Sequence, residues 1–97
     1  MHLDEIIWLE QFVTKIEWKH RVTTIETEEV LCSQPYTVRA ERGRVPGEDL
    51  YAAYGRTDAG RHLLVLFIHK GRATALPISA RDMTRSERRY YERRQRR

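Results

Sequence analysis

Apolar positions in the first third of the chain recur at helical spacing. Leu9, Phe12, Val13 and Ile16 stand at i, i+3, i+4 and i+7, which puts one apolar stripe on a helix. Just ahead of them, "IIW" at 6–8 reads either as the lead into that helix or as a short strand. "KHRV" at 19–22 breaks the stripe. "TTIE" then opens a second helix, because Thr23 and Glu26 have the spacing of a capping box: the hydroxyl accepts from a free backbone N–H while the carboxylate reaches back to another. Val30 and Leu31 face the core, and the helix stops before Pro35, since the residue preceding a proline avoids helical angles.

From Tyr36 the period changes to two. "YTVRAE" alternates as a strand, and "GRVPGED" is a loop punctuated by Gly43, Pro46 and Gly47. "LYAAYGRT" forms a second strand and "DAG" at 58–60 a tight turn into a third, "RHLLVLFIHK". The near-continuous apolar run of that third strand places it centrally, covered on both faces. Gly71 turns the chain into a fourth strand, "RATALPISAR", where Pro77 lacks a ladder donor and calls for an edge position or a bulge. Thr84 and Glu87 repeat the capping-box spacing and start a last helix near residue 85. Its apolar surface is limited to Tyr90 and Tyr91, so it docks lightly or is completed by a partner. The predicted architecture is α+β: two N-terminal helices, an antiparallel meander of three to four strands and a C-terminal basic helix, in one domain over residues 1–97.

Charge changes this picture at one end. The net charge is +4, yet from Arg81 onward eight arginines face only Asp82, Glu87 and Glu92. That stretch carries +5, which leaves −1 for the rest of the chain. A dense arginine surface attracts polyanions, nucleic acid first among them; an acidic protein partner or a merely solvated face accounts for it equally well. Cys32 stands alone, no apolar run reaches membrane-spanning length, and the start of the chain lacks the pattern of a signal peptide. A cytoplasmic protein is expected.

Several chemistries lack their residues. The four histidines and one cysteine show no metal-ligand spacing, and neither a Gly-x-Ser-x-Gly elbow nor a phosphate-cradling glycine loop is present. No metal and no cofactor is expected. What stands out is arginine at strand ends: Arg56, Arg61 and Arg81 all fall at one end of the predicted meander. There their planar forks could converge on a phosphodiester and stabilise charge developing on it; alternatively each pairs with Glu48, Asp49, Asp58 or Asp82. RNA can be cleaved without metal, because the ribose 2′-hydroxyl attacks the adjacent phosphorus once a base, an acid and a charge stabiliser are supplied. Arginine stabilises but is no base. His20 and His62 titrate usefully, and Glu48 or Asp49 would serve if desolvated. His20 is preferred, since His62 and Arg61 leave opposite faces of a strand, and its neighbour Lys19 adds a phosphate contact. Trp8 and Tyr51 offer stacking faces for bases or fill the core. Arg85, Arg88 and Arg89 supply an outer attractive field on the last helix.

"YAAYGRTDAGRHLLVLF" followed by "ISARDMTRSERRYY" closely resembles the C-terminal half of BrnT toxins, and "KHRVTTIETEEV" resembles that family's Lys-His-Gly-Val-Ser segment and acidic helix. The resemblance runs from about Trp8 to Tyr91. It implies a RelE-like fold and an mRNA-cleaving ribonuclease of a type II toxin–antitoxin pair that arrests growth when unneutralised. It also implies a BrnA-like antitoxin partner and contact with promoter DNA only through the complex with that antitoxin. Trp8, Lys19, His20, Arg61 and Arg81 occupy motif positions of the family. Leu9, Ile16 and Arg21 stand where the family commonly has aspartate, asparagine and glycine, and Pro77 interrupts a strand usually rich in arginine and isoleucine. The alternative to an active enzyme is therefore a catalytically degenerate toxin-like module that still captures an antitoxin or nucleic acid.

Overall fold

The computed structural model describes residues 1–95; Arg96 and Arg97, counted in the basic tail, lie outside the described residues. The chain begins with a two-residue strand, β1 (Glu5–Ile6), and a short helix, α1 (Glu10–Thr14), which runs on into a π-helical turn (Lys15–Lys19). Helix α2 (Thr24–Cys32) follows, then strands β2 (Tyr36–Glu41), β3 (Leu50–Arg56), β4 (His62–His69) and β5 (Thr74–Asp82), and finally α3 (Arg85–Gln95). The described strands form one sheet in the order β1-β5-β4-β3-β2. The α+β architecture is as the sequence pattern predicts, with β4 in the middle.

The sheet has one strand more than the three to four expected, and it is mixed. Glu5–Ile6 pairs parallel to Thr74 and Ala75, a ladder too short to leave a period-two pattern. Because β1 covers only the start of β5, the remaining outer edge of β5 is free of strand pairing. Pro77 sits at the bulge it calls for: Leu66 pairs with Ser79 and Phe67 with Pro77, leaving Ile78 between them.

Successive residues of β3 separate the two layers. Gly55 faces α2 so closely that a Cβ there would lie 3.0 Å from Val30 Cγ1 and 3.2 Å from Pro35 Cβ. On this side Ile16, Val22, Val30, Leu31, Ala53, Leu63, Val65 and Phe67 form the closed core. Tyr54 faces the other way, where Tyr90 of α3 packs at 5.1 Å between ring centroids and Tyr36 at 6.3 Å. Tyr91 is buried with its ring edge-on to His62, and Arg94 caps Tyr90 at 3.9 Å. Helix α3 is thus seated by its two tyrosines on the chain's own sheet. Those rings are engaged within the fold.

Both predicted capping boxes form. Thr23 Oγ1 accepts from Glu26 N–H at 3.0 Å, and Glu26 accepts from Thr23 N–H at 3.0 Å. Thr84 and Glu87 do the same at 3.2 and 2.8 Å.

Candidate active site

The structure gives each of the three positions where the resemblance expects another residue, Leu9, Ile16 and Arg21, a definite local setting. Leu9 is the N-cap of α1 and provides no side-chain cap, so an aspartate there would satisfy free N–H groups at the helix start. Ile16 is fully buried in the core. The third departure, Arg21, lies in the turn that carries His20. Arg21 takes φ 58°, a left-handed conformation that costs a residue with a Cβ on the order of 1 kcal/mol relative to glycine. What holds the turn is Arg61, whose Nη1 donates to the Arg21 carbonyl at 2.9 Å.

Arg61 does more than that. Its Nε and Nη2 donate to the two oxygens of Asp82 at 2.8 and 3.1 Å, and Nη1 also donates to Glu26 at 3.1 Å. The side chain therefore ties the start of β4, the end of β5, the first turn of α2 and the His20–Arg21 turn together. Four of its five N–H groups are engaged and no complete fork remains for a phosphate. Its partners hold the guanidinium pKa above the ordinary value, the Asp82 hydrogen bond foremost. Asp82 and Glu26 are pulled down in turn, Asp82 chiefly by Arg61 and Glu26 chiefly by the Thr23 N–H.

Arg81 differs in what it leaves open. Its Nη1 and Nη2 meet the two oxygens of Glu87 end-on, each at 2.8 Å, and Nη1 also donates to the Asp82 carbonyl at 3.1 Å. Its Nε–H and the outer Nη2–H make no hydrogen bond to any described residue. These two lie side by side along one edge of the guanidinium, a second fork of the kind that grips phosphate. The Arg81 hydrogen bond pushes the Glu87 carboxyl down to about 2, so Glu87 stays ionised and keeps the guanidinium oriented.

The expected meeting of Arg56, Arg61 and Arg81 at one locus does not occur. All three sit at one rim of the sheet, but Arg61 turns to the α2 layer and Arg81 to the α3 layer. Neighbouring residues Arg81 and Asp82 leave opposite faces of β5, and Arg61 follows Asp82. Arg56 is exposed and borders a polar cleft with Ser33, residues 57–60 and Tyr91.

The group within electrostatic reach of His20 is Lys19, Lys15 and Arg81. The π turn packs against β5, and His20 ends it with φ −107° and ψ −5°. The imidazole pKa is lowered, first by desolvation and then by Lys19, Lys15 and Arg81. A histidine whose pKa is lowered is better suited to accept a proton than to hold one. His62 is lowered as well, mainly by desolvation beneath α3, but its ring is packed against Tyr91.

Among the sequence-predicted base-binding residues, Trp8 is packed against the core and donates its Nε1–H to Glu28 at 2.7 Å. Tyr51 is also packed against the core, its ring stacked on Phe67 at 5.8 Å. On α3, Arg88 faces Glu92 at 3.4 Å, whereas Arg85 and Arg89 are exposed without an ion pair among the described residues. Arg93, next on the same ridge, is a residue the sequence reading did not select. So is Trp18, whose side chain is 73% exposed. Its exposure was legible, since it stands two positions from buried Ile16 and so on the opposite side of the turn.

An imidazole of lowered pKa, two lysines without an ion pair among the described residues and a half-open guanidinium fork suit a protein acting on a phosphodiester. Over residues 13–87 the chain matches the family of ribonuclease toxins, BrnT, of type II toxin–antitoxin systems, and it belongs to that family. The matched span includes Trp18, Lys19, His20, Arg61, Arg81 and Glu87, and leaves out Trp8 and most of α3. No curated protein matches the chain. Membership brings, at the level of the family, a ribonuclease toxin with an RNA substrate and an antitoxin partner. No helix among the described residues is long and apolar enough to cross a membrane.

Proposed function

We propose that the protein is a metal-independent endoribonuclease that cleaves mRNA in the cytoplasm and arrests growth until a BrnA-like antitoxin covers it, the complex then acting on promoter DNA. The observation that carries this reading is the open Nε/Nη2 fork of Arg81 at the end of β5, with His20 closing the π turn that packs against the same strand, in the positive field of Lys19, Lys15 and Arg81. His20 removes the proton from a ribose 2′-hydroxyl, and the freed oxygen attacks the adjacent phosphorus. The P–O5′ bond breaks, the 5′-oxygen takes a proton from the imidazolium or from water, and the products end in a 2′,3′-cyclic phosphate and a 5′-hydroxyl. Arg81 uses its Nε/Nη2 fork on the non-bridging oxygens as charge grows on them. Lys19 holds a neighbouring phosphate. Arg61 is a positioning residue, because it fixes the turn that presents His20.

Purified protein is expected to cleave RNA in EDTA, leaving cyclic-phosphate ends, and induced expression to stop growth. The rate should be level around neutral pH and fall in acid with an apparent pKa below 6.5. His20→Ala should lose both the rate and that acid limb. A wild-type chain that neither cleaves RNA nor slows growth would establish the degenerate module instead.

The exposed ridge of α3 supplies affinity. Arg85, Arg89 and Arg93 recur every four residues, about 6 Å apart along the axis, close to the spacing of successive phosphates in an extended single strand. Each phosphate contact contributes roughly −0.7 to the slope of log K against log salt for single strands. Neutralising the three arginines should therefore flatten the slope by about 2. A slope unchanged in that triple variant would mean that the ridge serves another partner.

A further inference from the structure

Trp18 is the feature that neither the fold nor the proposed chemistry uses. It is 73% exposed, the most exposed large apolar side chain among the described residues. Tryptophan is normally among the more buried residue types, so a ring left in water has a reason outside the monomer's core. It sits in the π turn (Lys15–Lys19), and such widened turns occur preferentially at functional sites. Lys19 follows it directly and Lys15, whose ammonium lies 5.9 Å from the Phe12 ring centroid, precedes it in the same turn; neither forms an ion pair among the described residues. From residue 15 to 21 three such cations face a single carboxylate, Glu17. The segment ends at His20, whose lowered pKa records the positive field of Lys19, Lys15 and Arg81.

A lone π face set among cations fits a ligand that is both aromatic and anionic. The chain neighbours of Trp18, Glu17 and Lys19, are both charged, unlike the apolar setting typical of a protein interface anchor. We infer that Trp18 is a nucleobase-stacking subsite for single-stranded RNA, holding a base that flanks the phosphate at His20 and Arg81, with Lys15 and Lys19 on the intervening phosphates. The inference rests on the ribonuclease reading. Trp18 and buried Ile16 point to opposite sides of the turn, while His20 closes it beside β5. The stacked base is therefore beyond the scissile linkage and not at it. Stacking tolerates any base, since each has a π face; preference then arises from stacking strength, purines above pyrimidines.

The test uses the full chain and a fluorescent 2′-O-methyl oligoribonucleotide, which binds but cannot be cleaved. Trp18→Ala should weaken binding roughly tenfold or more, and Trp18→Phe should restore much of it. In a set of oligonucleotides with one abasic position each, one position should weaken wild-type binding by the same factor. That position should cost Trp18→Ala nothing further. The exposed ring contributes little to the core, so thermal melting should be unchanged. Trp18→Ala binding with wild-type affinity, or no abasic position coupled to Trp18, would overturn the subsite. If wild type still cleaves RNA in that case, the ribonuclease reading stands; if wild type neither cleaves nor binds, both fall. Loss of antitoxin binding alone in Trp18→Ala would also overturn it, assigning the ring to a protein contact.

Discussion

Arg61→Ala should abolish cleavage and destabilise the fold together, while leaving affinity for uncleavable RNA nearly intact. The guanidinium donates to Asp82, Glu26 and the Arg21 carbonyl. Its removal leaves the part-buried Glu26 and the more exposed Asp82 without their shared cation, and an unanchored turn whose Arg21 is already in a left-handed conformation. Hydrogen bonds to charged groups are each worth about 1.5–3 kcal/mol, and partial exposure discounts the ion-pair component. A net loss of roughly 2 kcal/mol is expected, which for a domain of this size lowers Tm by about 8–16 °C. Arg61→Lys should recover little, because one ammonium cannot span both carboxylates and the carbonyl. The readout that separates positioning from phosphate binding is the split between constants. A positioning role lowers kcat and disturbs the imidazole titration of His20, with KM nearly unchanged. If Arg61→Ala melts normally and loses affinity for uncleavable RNA, then Arg61 holds phosphate directly and the clamp is the wrong description.

That outcome bears on how much of the molecule its sequence disclosed. The elements were legible because local signals agreed: Thr23 with Glu26 and Thr84 with Glu87 mark two helix starts that the structure confirms, and Pro77 marks the bulge in β5. The first strand was legible only as one of two readings of "IIW", because Glu5–Ile6 earns its place only through a parallel neighbour nearly seventy residues away. At the site, the rim shared by Arg56, Arg61 and Arg81 followed from strand direction alone. Which way each guanidinium turns did not. That depends on side-chain alternation at strand ends and on carboxylates brought in by α2 and α3. Glu26 and Glu87 read as capping residues, and they are, but each also takes an arginine as a second partner. Such double use leaves no trace in local pattern.

Arg81→Ala should lower kcat by about a hundred- to a thousandfold, the usual effect of removing one preorganised donor to developing charge. The reason is the free Nε/Nη2 edge: an end-on carboxylate fixes the guanidinium, and the side-on fork remains for phosphate. Glu87 then matters through Arg81. Glu87→Gln removes the charge that orients the fork and weakens the seat of α3, so cleavage should fall by about tenfold, the size expected for losing one oriented charge-assisted contact. In an Arg81→Ala background the same change should have no further effect on cleavage, because the two act as one unit. The pH dependence separates them from His20. With its folded pKa near 2, below the ordinary 4.5, Glu87 contributes stability that is fully present above pH 4.5 and is lost as pH falls through about 2. Glu87 therefore remains charged throughout the range in which His20 takes up its proton. An acid limb below pH 6.5 that persists in Glu87→Gln belongs to the imidazole. If Arg81→Ala retains kcat within a factor of two, the fork does not touch the reacting phosphate, and Arg81 serves only to hold α3 on the sheet.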